Sequence, residues 1–363
     1  MLNYEFPPLG GGAANANYYL LKEFSKHKDL EIDLITSSSK NKFEIEKFSS
    51  NIRIYKLNIG EKNIHNWKMF EIVKWFYKTY FFSRKLVKEN SYNICHCWFG
   101  WPSGMIGYSL KNKIPYIVAL RGSDVPGYNP RLKVQDALIF KYISKIVWKN
   151  AKHVIANSES LKSLAQKTLD IEMQIIPNGV DTNEFKPLKN KKIGKKIKLI
   201  STGRLIERKG YKYLISALEL QNEFELTLIG EGDQEQDLKK LAKDLNVKVT
   251  FKGALSHSEI SKELQKADVF VLPSLNEGMS NSILEAMACG LPVITTDTGG
   301  TKTLINNNGY LVQKQDAQSI EKALSNYLSQ KQLLVEHSLV SRQIAEELGW
   351  NYVANKYLEE YKK

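Results

Sequence analysis

Short apolar runs alternate along this chain with longer stretches in which apolar residues recur every three or four positions, the signature of strands interleaved with helices. In the first half the runs are Leu2 to Phe6, Ile32 to Thr36, Ile52 to Leu57, Ile94 to Trp98, Tyr116 to Leu120, His153 to Asn157 and Gln174 to Ile176. In the second they are Lys198 to Thr202, Leu226 to Ile229, Val247 to Lys252, Val269 to Leu272, Val293 to Thr296 and Tyr310 to Val312. Such alternation predicts an α/β protein with parallel sheets covered by helices on both faces, arranged as two doubly wound domains. The expected division is a first domain over residues 1–177, a linker over 178–197, a second domain over 198–345 and a closing helix over 346–363 that crosses back to the first. The linker reading rests on turn residues, Pro187 and the cluster Lys189, Lys191, Lys192, Lys195 and Lys196, whose like charges resist packing. The chain starts almost inside its first strand, so either a few preceding residues are missing or that strand is short.

Composition narrows the class. A length of 363 residues suits two or three domains, and the run pattern favours two. Cys95, Cys97 and Cys289 give no disulfide framework, and no apolar signal opens the chain, so a reducing cytoplasm is expected. No run reaches the roughly 18 apolar residues of a spanning helix. The formal charge of +13 is concentrated between residues 51 and 150, which hold 17 Lys plus Arg against 5 Asp plus Glu. Within that zone, Trp67 to Phe82 interleaves bulky aromatics with lysines at helical spacing. Residues 62–90 therefore read either as a peripheral contact with an anionic membrane surface, at the inner face, or as an ordinary amphipathic helix with solvated lysines. No RNA- or DNA-binding fingerprint accompanies the charge, so nucleic acid is not an expected partner.

The candidate chemistry lies where runs end. Behind Val269 to Leu272, Glu277 and Glu285 stand eight positions apart across a turn into a helix. Gly203-Arg204-Leu205-Ile206-Glu207-Arg208-Lys209-Gly210 joins Leu199 to Thr202 to the helical pattern Tyr211 to Leu220. In open α/β sheets, ligands gather beyond the carboxyl ends of the strands. Cations at a helix start are disfavoured by roughly 0.3–1 kcal/mol, so Arg208 and Lys209 call for an anion. A diphosphate fits, and an ion pair with Glu207 or Glu231 is the alternative. Glu285 has an alternative too, a capping box with Ser282. Gly10, Gly11 and Gly12 follow Pro7-Pro8 and let the backbone approach a ligand closely. Cys95-His96-Cys97 reads as a buried strand with both cysteines on one face and the histidine on the other, so no metal site is expected there.

Together with Ile176-Pro177-Asn178-Gly179-Val180-Asp181 and Asp297-Thr298-Gly299-Gly300, these segments resemble the retaining, nucleotide-sugar-dependent glycosyltransferases of family 4, over nearly the whole chain. The resemblance implies the GT-B fold, two Rossmann-like domains facing each other across a cleft, the first binding the acceptor and the second the nucleotide sugar. It implies transfer of a sugar from a nucleoside diphosphate sugar to an acceptor hydroxyl, with no metal or other cofactor; a UDP-linked donor is expected, and the charge in residues 51–150 points to a glycan or lipid-linked acceptor. Arg204 and Lys209 would neutralise the departing diphosphate, and Glu277 would hold the donor sugar's hydroxyls. Glu285 would take the ribose diol, and Gly11, Gly12, Gly203, Gly278, Met279, Ser280 and Asn281 would line the donor. Gly10, Arg121 and Asp124 would contact acceptor or phosphate, with Asp124 as the partner of Arg121. Two departures limit the inheritance: Arg121 stands where many members carry histidine, and Gly299-Gly300-Thr301 lacks the Pro-Glu that often follows. A soluble transferase acting on a storage glucan or small molecule, and a non-catalytic sugar-nucleotide-binding partner subunit, remain as alternatives.

Overall fold

The computed structural model describes residues 1–60, 67–129, 132–189 and 191–363, so residues 62–66 of the expected lipid-facing stretch and residue 190 of the expected linker lie outside it. The chain divides into two compact units, Met1–Asn178 with Trp350–Lys363, and Gly179–Gly349.

In the first unit the strands are β1 (Ile32–Ser37), β2 (Glu44–Lys47), β3 (Ile52–Leu57), β4 (Cys95–Trp98), β5 (Tyr116–Ala119), β6 (His153–Ala156) and β7 (Gln174–Ile175). They pair as β1-β3-β2 and β4-β5-β6-β7. The run Leu2 to Phe6 forms only a bridge at Leu2, but it pairs with both Ile35 and Cys97 and so stitches the two sets together. Pairing is parallel except at β2, which runs antiparallel to β3. The sequence gives no warning of β2 because it reads Glu-Ile-Glu-Lys and is largely exposed, as suits a charged edge. The two cysteines of β4 share a face, their sulfurs 3.7 Å apart. Across the strand, His96 Nδ1 lies 2.7 Å from the Tyr361 hydroxyl of the last helix, Trp350–Lys362. That helix belongs to this unit: Trp350 stacks on Tyr19 with ring centroids 5.8 Å apart, and Val353, Ala354 and Tyr357 are buried in its core.

Among its described residues the second unit carries one six-stranded parallel sheet. Its strands are β8 (Ile197–Thr202), β9 (Phe224–Ile229), β10 (Val249–Phe251), β11 (Val269–Leu272), β12 (Val293–Thr296) and β13 (Gly309–Val312), in the order β10-β9-β8-β11-β12-β13. The order reverses beside β8 and β11, the strands that feed the two candidate loops. The expected linker is largely part of this unit. Val180 and Phe185 are buried in its core, Val180 pairs with Gly349, and Lys191 is drawn into an ion pair with Asp268 at 3.2 Å. The apolar residues ahead of the lysine cluster thus anchor the segment to this unit. The helix after Gly210 runs only over Tyr211–Ser216, and Leu220 is 90% exposed in a left-handed conformation.

Candidate donor site on the second unit

The loop after β8 is shaped by glycines. Gly230 has a φ of +134°, and a Cβ there would lie 2.1 Å from the Gly203 carbonyl oxygen; one at Gly232 would lie 2.2 Å from that of Leu205. The two loops are laced by backbone bonds from Gly203 N to Ile229 O and from Leu205 N to Glu231 O. The segment Gly230-Glu231-Gly232 therefore fixes the backbone that carries Arg204, a role the motif reading missed. Two small residues flanking an acid after β9 were the available signal.

Arg208 and Lys209 do not open a helix. They end a 3-10 turn, Glu207–Lys209, closed by Gly210 at φ +69°, where a Cβ would strike the Pro273 carbonyl at 2.1 Å. The expected penalty of cations at a helix start therefore does not apply in that form. Lys209 is buried instead against an acid: its Nζ lies 2.5 Å from Glu277 Oε1. Neither Glu207 nor Glu231 is its partner. Arg208 Nη1 donates to the Asn276 carbonyl at 3.0 Å and lies 3.9 Å from Glu277, so it ties down the acid's loop. Arg204 is exposed, and its charge still reaches Glu277. Burial works to raise the Glu277 pKa, but the charges of Lys209, then Arg208 and Arg204, hold it below the ordinary carboxylate range.

Gly278, Met279 and Ser280 are buried on the turn from β11 into the helix Asn281–Ala288, with Asn281 half-buried as its first residue. Gly300 packs against this turn so tightly that a Cβ would sit 2.5 Å from the Gly278 carbonyl. This accounts for the second glycine of Asp297-Thr298-Gly299-Gly300 as a packing requirement. Thr295 Oγ1 donates to the Leu272 carbonyl at 2.7 Å, locking the ends of β11 and β12 together.

Glu285 makes no capping box. The N-cap is Ser280, whose side chain takes no capping bond, and its hydroxyl pairs with that of Ser282 at 3.0 Å. Burial, followed by the charge of Glu184, pushes the Glu285 pKa up to about 8, against a smaller pull from Lys209. His257 Nδ1 stands 3.9 Å away, and burial lowers the pKa of that imidazole. The two acids of the motif thus occupy opposite electrostatic states, one held ionised and one held protonated near neutrality.

The first unit places its candidates differently. Gly10, with a φ of +95°, turns the chain into the helix Gly12–Phe24, and Gly11 is its N-cap with no atom within 4 Å of a Cβ position. The Arg121 guanidinium lies 3.7 Å over the Trp98 ring and donates to Asn178 at 2.9 Å and to the Tyr357 hydroxyl at 3.0 Å. It ties the end of β5 to the last helix. The Asp124 carboxylate accepts no bond from the guanidinium, although its charge acts on it; it accepts the backbone N–H groups of Gly100, Arg121 and Gly122 at 2.7, 2.9 and 3.0 Å.

Two family descriptions match adjoining stretches of the sequence, Glycosyltransferase Family 4 over residues 10–184 and Glycosyl transferases group 1 over residues 181–342. The chain belongs to the family 4 glycosyltransferases. One relative is the UDP-Gal:alpha-D-GlcNAc-diphosphoundecaprenol alpha-1,3-galactosyltransferase of Escherichia coli, 29% identical over 279 residues, which are 69% of this chain and 70% of that protein. Sucrose-phosphate synthase from Thermosynechococcus elongatus superposes with a TM-score of 0.84 at 22% identity, over 97% of this chain and 93% of the other. HepE from Anabaena, solved in complex with UDP-glucose, superposes with a TM-score of 0.76 at 17% identity, over 99% and 98% of the two chains. These likenesses give this glycosyltransferase the GT-B fold.

Proposed function

We propose that this glycosyltransferase moves a sugar, with retention of configuration, from a UDP-sugar to a hydroxyl of a lipid-linked glycan at the inner face of a membrane. The observation that carries the reading is the Lys209–Glu277 pair, flanked by Arg208 and by the exposed Arg204, at the reversal of the sheet order. Before the donor arrives, Glu277 satisfies Lys209 and keeps its ammonium aimed at the turn after β11. When the donor binds, its diphosphate supplies a second anion to Lys209 and a first to Arg204. As the bond from the anomeric carbon to the phosphate oxygen breaks, negative charge gathers on the leaving UDP. Fixed cations then stabilise the transition state more than the bound donor. The departing phosphate oxygen takes the acceptor's proton as the acceptor oxygen bonds to the same face of the anomeric carbon. On this account the cations do the work that a divalent ion does elsewhere, and no metal is needed. Glu277 meets the sugar's hydroxyls, Glu285 the ribose diol, and the backbone of Gly278 to Asn281 the sugar and phosphate oxygens.

The UDP-linked donor and lipid-linked acceptor are supported by the name of the Escherichia coli relative, and UDP also by the HepE complex. No helix among the described residues is long and apolar enough to cross a membrane. A panel of nucleotide sugars scored by thermal shift, followed by transfer to lipid-extracted against water-soluble acceptors, tests the reading. A rise in melting temperature with one UDP-sugar, and transfer to the lipid fraction in the presence of EDTA, are expected. Transfer confined to soluble acceptors, or abolished by EDTA and restored by a metal, contradicts it.

A further inference from the structure

The helix Met69–Glu89 buries Trp75, Thr79, Ser83 and Leu86 and leaves Phe70, Tyr77 and Phe81 more than half exposed. A second segment does the same more strongly. Over residues 133–150, Val134, Leu138, Ile139, Tyr142 and Ile146 are each at least 50% exposed. These five recur at helical spacing, and a π-helical turn at Asp136–Phe140 widens the helix where Leu138 and Ile139 both project outward. Apolar residues scattered singly on a surface need no explanation, but a continuous stripe does.

The two segments are neighbours. Phe76 of the first packs on Trp101 with ring centroids 5.5 Å apart, and Trp101 packs on Phe140 of the second at 6.2 Å. Lysines are threaded through both stripes, at Lys74, Lys78, Lys85 and Lys88 in one and at Lys133, Lys141, Lys145 and Lys149 in the other. The acid between residues 132 and 150 is Asp136, and its carboxylate is turned onto the backbone N–H of Gly127 at 2.8 Å. Protein interfaces deplete lysine from their apolar centres, and nucleic acid would not call for bare leucine and isoleucine. Aliphatic and aromatic side chains between lysines, of which Lys85 is ion-paired to Glu89 at 3.9 Å, match an anionic bilayer, whose acyl boundary takes the former and whose phosphates take the latter.

We propose that residues 133–150 form the principal lipid-docking element of this chain, with Met69–Glu89 as its second contact, on a bilayer rich in anionic phospholipid. The proposal deepens the membrane-face reading above, on which its purpose rests, while the docking itself needs neither donor nor acceptor. The test is sedimentation of the full-length chain with vesicles of phosphatidylglycerol in phosphatidylcholine, and with phosphatidylcholine alone, at about 0.1 M salt, where surface charge is only partly screened. Wild type is expected to bind the anionic vesicles and not the neutral ones. The triple variant Leu138→Ser, Ile139→Ser, Tyr142→Ser and the double variant Lys141→Gln, Lys145→Gln are each expected to lower the partition coefficient about tenfold or more. Both should keep the UDP-induced thermal shift of wild type, which reports an intact fold. The proposal is overturned if wild type ignores anionic vesicles or if the triple variant binds them as wild type does. It is overturned equally if the stripe is covered by a second copy, seen as a dimer in sedimentation velocity that the triple variant dissolves. Vesicle binding without transfer to a lipid-linked acceptor would uphold the docking and remove the acceptor reading.

Discussion

Lys209 and Glu277 are the residues whose chemistry is most constrained, because Lys209 is buried, Glu277 is half-buried and each is the other's counter-charge. Removing the lysine strands a carboxylate with two more distant arginines for company. Lys209→Ala is therefore expected to lower stability by about 2–3 kcal/mol in urea unfolding, short of the full cost of a buried orphan charge because both side chains keep some solvent contact. It should also lower kcat by about 10²–10³. The double variant Lys209→Met, Glu277→Gln should recover most of the stability and none of the activity, which separates the two roles. Glu285 behaves oppositely. Its carboxyl has an ordinary pKa near 4.5 when unfolded and about 8 when folded. Between those values the folded chain binds more protons, so its contribution to stability is greatest below the lower pKa and is lost as pH rises through the upper. Glu285→Gln should flatten that decline between about pH 5 and 8 and raise the melting temperature at alkaline pH, while weakening donor binding if the acid meets the ribose. A variant with the same pH profile as wild type would remove the protonated-acid account. Both acids and both cations stand out in the sequence as charges placed at strand ends. Their mutual pairing was not, because the lysine and its acid are far apart in sequence and only the adjacency of β8 and β11 brings them together.

At the scale of elements, the site depends on loops pressed against loops. Gly230→Ala would force a methyl group toward the Gly203 carbonyl and would also demand a left-handed conformation that alanine resists. The expected result is a weaker UDP affinity, by about tenfold, since the backbone that presents Arg204 must shift. Calorimetric titration with UDP measures it, and an unchanged Kd would show that the loop carries nothing to the ligand. The strands were readable in advance wherever they are buried on both faces, since continuous apolar runs leave little else to be. β2 was not, being short and charged. The supposed linker misled for the reverse reason: a lysine cluster catches the eye, while the anchoring Val180 and Phe185 are isolated apolar residues with no periodicity to reveal them. Residues 133–150 carry the helical spacing too, but spacing alone does not tell an apolar face that is buried from one left at the surface.

Across the whole molecule, the order of elements in the sequence is not the order of the units, since the chain returns its last helix to the unit where it began. Arg121 is the polar hinge of that return. Arg121→Ala loses the Trp98 contact and two hydrogen bonds from a largely buried guanidinium, and is expected to cost about 2–3 kcal/mol of stability. If that is its sole role, the KM for the donor stays at its wild-type value when activity is corrected for folded protein; a raised KM would return Arg121 to the list of ligand contacts. The GT-B fold was readable from five short motifs in order, whereas the anchoring of the last helix needed three dimensions, because the partners of Tyr357 and Tyr361 lie more than two hundred residues upstream. The central claim is that cations of the second unit neutralise a diphosphate. A crystal structure of the chain with UDP tests it most directly. Phosphate oxygens within about 3.2 Å of both Lys209 Nζ and the Arg204 guanidinium are predicted; a diphosphate bound elsewhere, or Arg204 still turned to solvent with UDP in place, would contradict it.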